Sequence, residues 1–74
     1  MPETDALAKR VKKYRKQLEK TQFDMAVEMG ISTEEISLIE RGRTDPRLST
    51  MQKIAAHMGI TVSRLLDTKE DEEM

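Results

Sequence analysis

Leu7, Val11, Tyr14 and Leu18 recur at spacings of four, three and four, which is one stripe on a helix predicted over residues 5–19. Lys9, Lys13, Lys16 and Lys20 repeat that spacing about 200° away around the same helix. The first element is therefore amphipathic, and its lysine face suits either solvent or phosphates. Met25, Ala26 and Met29 then form a second apolar face, and Ile36 and Ile39 a third. A fourth follows with Met51, Ile54, Ala55 and Met58, and a fifth, short one with Val62, Leu65 and Leu66. The pattern predicts five helices with short connections and no strand.

The stretch from Thr21 to Gly42, TQFDMAVEMGISTEEISLIERG, is punctuated at every helix end. Thr21 is placed to cap its first helix, with Asp24 as a weaker capping-box partner, and Gly30 to close it in the left-handed conformation. Ser32-Thr33-Glu34-Glu35 is a full capping box that opens the next helix, and Gly42 closes that one. Helices this short cannot bury their faces alone, so the flanking segments must supply the missing surface. In Arg43-Thr44-Asp45-Pro46-Arg47, Pro46 disfavours helix at Asp45. Ser49-Thr50-Met51-Gln52 is a second capping-box pattern, expected to open the fourth helix, and Gly59 ends it. Thr61 caps the last one.

Length divides the chain simply. Its 74 residues make one domain, near the lower size at which a single core is self-sufficient. Residues 1–5 are expected to be a flexible N-terminus, 6–67 the folded domain and 68–74 an acidic disordered tail. With no cysteine there is neither a disulfide framework nor a thiolate metal site, which fits a cytoplasmic protein. No apolar run approaches a membrane span, and MPETDALAKR lacks the apolar core of a secretion signal.

The net charge of −1 conceals an uneven distribution. Outside residues 1–5 and 67–74 there are 12 basic and 7 acidic residues, a balance of +5 for the body of the chain. Nothing groups a nucleophile, a base and an orienting residue, so no enzyme is expected. His57, the one histidine, has no acids at ligand spacing and is expected on the surface, so neither metal nor cofactor is expected. The four internal methionines are read as core substitutes for leucine.

From Thr21 to Asp67 the chain resembles the Cro and lambda-repressor-like helix-turn-helix family, also called the XRE family. Thr21, Gln22, Ala26, Gly30, Ser32, Ile36, Ser37, Ile39, Glu40 and Gly42 stand at matching positions of its central pattern. Pro46, Leu48, Thr50, Gly59, Leu65 and Leu66 match the pattern that follows. Met25, Met29, Met51 and Met58 replace leucines, and Ile31 and Ile60 replace valines. The match extends over about residues 7–67.

The resemblance implies an all-α, compact five-helix lambda-repressor-like domain with its helix-turn-helix at helices 2 and 3. Helix 3, about Thr33 to Arg41, would enter the major groove of double-stranded DNA as the recognition helix. Gln22 matches a glutamine that often reaches a phosphate or base, and Arg41, Arg43 and Arg47 stand where the family contacts the backbone. Arg15 and Glu40 match a salt bridge that links helix 1 to helix 3.

With Ile36 and Ile39 inward, Glu34, Ser37, Leu38 and Arg41 point outward, with Thr33 at the entry. Here the chain departs from the family, which usually carries glutamine, arginine, serine or asparagine at the positions of Thr33, Glu34 and Leu38. Glu34 and Glu35 suit a helix N-terminus in any case. Glu34 also suits a cytosine amino group, and Leu38 a thymine methyl. Alternatively the face presents Leu38, with Phe23, to a protein partner, as an antitoxin-like or adaptor module would. The expected assembly is a homodimer joined through Val62, Leu65 and Leu66.

Overall fold

The computed structural model describes residues 2–67, with side chains from Asp5 onward. The sequence expectations that fall on residues 68–74 lie outside the described residues. Five helices follow one another: α1 (Pro2–Gln17), α2 (Gln22–Met29), α3 (Thr33–Glu40), α4 (Leu48–Met58) and α5 (Val62–Leu65). No strand occurs among the described residues, so the all-α, five-helix expectation is borne out.

Every helix feeds one core. Leu7 and Val11 come from α1, Met25, Ala26 and Met29 from α2, Ile36 and Ile39 from α3, Ile54 and Ala55 from α4, and Leu65 from α5. The four predicted apolar faces from α2 onward meet there, because no helix of four to eleven residues is stable without such burial. Tyr14, Met51, Met58, Val62 and Leu66 pack around the rim.

The local signals at the central turn hold. Both Thr21 and Ser32 form reciprocal capping boxes, with Asp24 and Glu35 respectively. Gly30 takes φ +74°, and its N–H donates to Ala26 at 2.9 Å. The Lys53 ammonium, from α4, donates to the Gly30 carbonyl at 3.2 Å and anchors the turn to the body.

Expectations fail at both ends of α1, at Ser49 and at His57. The α1 stripe stops at Tyr14: the helix ends at Gln17, Glu19 adopts φ +56°, and Leu18 is left 42% exposed. Helix also begins earlier than predicted, at Pro2, so the backbone of residues 2–5 is helical.

The Ser49 capping box does not form. Arg47, held extended after Pro46, is the N-cap of α4 and makes no side-chain cap bond, while Thr50 is buried and engaged elsewhere. His57 is not a bystander on the surface. Its Nδ1 lies 2.7 Å from the Tyr14 hydroxyl, which donates to the His57 carbonyl at 3.0 Å, and its Nε2 lies 2.9 Å from Glu28 Oε1.

The Arg10 guanidinium, which carried no sequence signal, donates to the carbonyls of Arg64, Leu65 at 2.7 Å and Asp67 at 2.6 Å. The Arg64 carbonyl also accepts the Asp67 N–H at 3.1 Å, so α1 reinforces the C-terminal end of α5 and the residues just after it.

Candidate nucleic-acid interface

The candidate interface is built on α3, whose two ends are fastened to different helices. At its start, Glu35 accepts the Ser32 N–H at 3.2 Å through Oε1 and the Thr50 hydroxyl of α4 at 3.1 Å through Oε2. The Ser32 backbone bond, helped by those from the Thr50 and Ser32 hydroxyls, holds the Glu35 carboxyl below its ordinary value against the opposing effect of burial. Glu35 is thereby turned toward the body. Of the two acids in the first turn, Glu34 alone faces solvent.

At its end, Glu40 is nearly buried, with 3% of its side chain exposed, and receives a forked contact from Arg15: Nε to Oε2 at 2.7 Å and Nη2 to Oε1 at 2.9 Å. Gln22 Nε2 donates to the same Oε1 at 3.2 Å. Burial pushes the Glu40 carboxyl up, but the bonds from Arg15 and Gln22 and the guanidinium charge outweigh it, and it sits below the ordinary range. The Arg15 guanidinium is raised in turn, chiefly by its bond to Glu40. Arg15 also donates to the Lys20 carbonyl at 2.8 Å, so one side chain ties α3 to the turn before α2.

These fastenings determine which face stays open. Thr33, Glu34 and Arg41 are exposed, and Ser37 and Leu38 are half-buried at the edge of that face. Arg41 Nε leans back onto the Ser37 carbonyl at 3.3 Å, which keeps its guanidinium along the helix end. Arg43, in the following loop, and Arg47, at the start of α4, are both exposed. Leu38, Asp45, Pro46, Arg47 and Lys53 line one open crevice between α3 and α4, so the leucine and two cations share a surface. Gln22 is half-buried and already committed on one side to Glu40, a partner that sequence spacing does not reveal.

The expected subunit interface requires a correction. Leu65 is fully buried within its own chain and offers no surface to a second copy. Val62 and Leu66 are half-buried against the same core. The reason is the brevity of α5, whose few apolar side chains are needed to close the domain itself. Phe23 and Val27 are the opposite case: each is 65% exposed, one turn apart on α2, and Phe23 does not fold back onto the body.

Two short helices joined through a left-handed glycine, the second clamped at both ends with one face open, form a helix-turn-helix unit inside a five-helix domain. The chain belongs to the Helix-turn-helix family, whose model matches residues 11–65. It is 35% identical over 63 residues to an uncharacterized HTH-type transcriptional regulator of Methanocaldococcus jannaschii, covering 85% of this chain and 96% of that protein. It is 31% identical over 68 residues to the HTH-type transcriptional regulator SinR of Bacillus subtilis, covering 90% of this chain and 61% of SinR. With the immunity repressor protein of Bacillus phage phi105 it shares 35% identity over 60 residues, 81% of this chain and 42% of the repressor. The chain thus spans less than two thirds of those last two relatives. The crystal structure of a hypothetical transcription factor from Neisseria superposes with a TM-score of 0.81 at 26% identity, covering 97% of this chain and 85% of that one.

Proposed function

We propose that this protein is a sequence-specific DNA-binding transcriptional regulator, of phage-repressor or controller type, that binds duplex DNA as a homodimer with α3 in the major groove. The observation that carries the reading is the double clamp on α3, Glu35 to Thr50 and Glu40 to Arg15, which leaves Thr33, Glu34, Ser37, Leu38 and Arg41 as its outer edge. A groove about 12 Å wide admits such a helix, and its base edges carry a readable donor and acceptor code. Glu34 suits a cytosine amino group and Leu38 a thymine methyl. Gln22, Arg43 and Arg47 suit phosphates, which give most of the affinity and fix the register.

A single copy measures 29 × 23 × 21 Å, less than the roughly 34 Å between half-sites one helical turn apart. Two copies therefore fit side by side on one face of a duplex, and Val62 and Leu66 are the proposed contact between them. This reading assigns no catalytic step or cofactor, and places the protein in the cytoplasm. Selection of bound sites from a random duplex pool, with affinity followed from about 50 to 200 mM salt, tests it. A palindromic site and a steep loss of affinity are expected. Weak binding to every sequence that ignores salt would end the reading.

One observation favours a second reading, a protein-interaction module on the same fold. Phe23 and Val27 expose an apolar pair beside α3, a feature that suits a protein contact. Phe23→Ser distinguishes the two, because it should spare DNA affinity under the first reading and abolish partner capture under the second.

A further inference from the structure

We propose that the lysine face of α1 is a second surface for duplex DNA, one that reads no sequence, so that a copy seated through α3 holds another stretch of duplex at the same time. Bridging rests on the α3 reading above, whereas the surface itself does not. Lys9, Lys12, Lys13, Lys16 and Gln17 form a shallow, open patch along α1. Lys9, Lys12 and Lys16 are exposed and make no hydrogen bond or ion pair among the described residues. Other cations are used internally: Arg15 on Glu40, Lys20 on Glu28 and Lys53 on the Gly30 carbonyl. Asp5 stands one turn before the patch and Glu19 beyond the helix, so no acid of α1 lies among its lysines.

Inner contacts orient the helix. Val11 is fully buried, Tyr14 meets His57 of α4, and Arg15 meets Glu40 of α3. At about 100° per residue, Lys9 and Lys16 stand roughly 160° and 140° around α1 from Val11. On α3, Glu40 turns toward α1, while Glu34 and Leu38 stand about 120° and 160° around from it. The two faces therefore point to different sides of a body of 29 × 23 × 21 Å. A duplex that stays stiff over about 500 Å does not curl around so small a body, so the lysines meet a different stretch of DNA.

Lys9 and Lys16 are about 10 Å apart along the axis, the span of about three phosphates on one strand. Three such contacts give a salt slope of about −3 and a weak affinity, which tethering through α3 makes effective. The face has no exposed ring for single-stranded bases to stack on, because Tyr14 is turned to His57. Nor does it suit a membrane, because the apolar stripe of α1 lies in the core and leaves nothing to insert.

The test titrates the isotope-enriched full chain with a short duplex of arbitrary sequence, past one equivalent, at about 20 mM salt, where screening is weak. The amides of Glu34, Leu38 and Arg41 should shift first, and those of Lys9, Lys12 and Lys16 with the excess duplex. At about 200 mM salt the second set should return to its free positions. With Lys9→Gln, Lys12→Gln and Lys16→Gln combined, duplex should move the first set as before and leave the second in place. Unmoved α1 amides in the parent chain, or shifts that survive either high salt or the triple variant, overturn the surface. If the α1 set moves and the α3 set does not, the α3 reading fails and the surface stands. Bridging is read separately. A surface-fixed duplex bearing the selected site, loaded with protein, should retain a fluorescent duplex of unrelated sequence, and the triple variant should release most of it. Equal retention by the triple variant, or preferential retention of single-stranded RNA or of anionic vesicles, overturns the proposal.

Discussion

The hydroxyl of Thr50 lies 3.1 Å from Oε2 of Glu35 and donates to it, while the other oxygen of that carboxylate accepts the Ser32 N–H. One side chain thus closes the N-terminus of α3 and fastens it to α4. Glu40 plays the equivalent part at the far end, with Arg15 of α1 and Gln22 of α2. An eight-residue helix has no stability of its own, so its direction is set by these two attachments and by the burial of Ile36 and Ile39 between them.

Thr50→Val keeps the buried shape and removes the donor, leaving Glu35 with an unmet acceptor. A loss of about 1 kcal/mol is expected. In a domain of this size that lowers the unfolding midpoint by about 4–8 °C, readable by circular dichroism. An unchanged midpoint would show that the contact contributes nothing.

Arg15→Ala strands the nearly buried Glu40 carboxylate and should cost about 3 kcal/mol in urea unfolding. Replacing both partners, Arg15→Met with Glu40→Met, should recover most of that loss, because the penalty lies in the uncompensated charge. A double variant as unstable as the single one would assign the loss to packing instead.

Acid should destabilise the domain through the same two carboxylates. The folded state holds both Glu35 and Glu40 below their ordinary values, so they bind protons less readily than in the unfolded chain. Their contribution is complete above the unfolded glutamate pKa of about 4.3 and is lost as pH falls through the lower folded values. The urea midpoint should hold from pH 7 to about 5, then fall. Glu35→Gln with Glu40→Gln should flatten that fall, and an equally steep fall in the double variant would remove both residues from the account.

On DNA, Arg43→Ala and Arg47→Ala should weaken binding to all sequences alike, each reducing the salt slope by about 1. Glu34→Gln and Leu38→Ala should instead reorder preferences among single-base variants of the selected site. Equal losses on every probe would count against base reading by Glu34 and Leu38.

Glu19 holds a left-handed conformation at φ +56°, which costs a residue with a side chain roughly 1–2 kcal/mol. Glu19→Gly removes that strain and offsets it only partly through the added freedom of the unfolded chain. The melting point should rise by a few degrees, and a fall would mean that the glutamate side chain contributes something its position does not suggest.

The strongest sequence inferences concerned short stretches. The Ser32-Glu35 box and the Gly30 turn were legible because each involves groups within about four residues, whose geometry follows once a helix forms. Leu18 shows the limit: the stripe continues through it, yet the left-handed turn at Glu19 ends the helix and leaves it outside. Ser49 shows another, since a capping pattern was present and α4 began ahead of it.

Arg15 and Glu40, 25 residues apart, were paired in advance by resemblance to a family; helical periodicity says nothing about such a contact. Alone, the chain's pattern determined that there are five helices, where the central turn lies and which faces are apolar. Tertiary structure decided that Glu35 turns inward to Thr50, 15 residues on, that Tyr14 meets His57 across 43, and that Arg10 reaches Asp67 across 57. It also put Leu65 in the core rather than on a subunit surface. Caps and stripes depend on backbone hydrogen bonds between near neighbours, whereas these contacts depend on the angles at which helices pack, and no short segment encodes those angles.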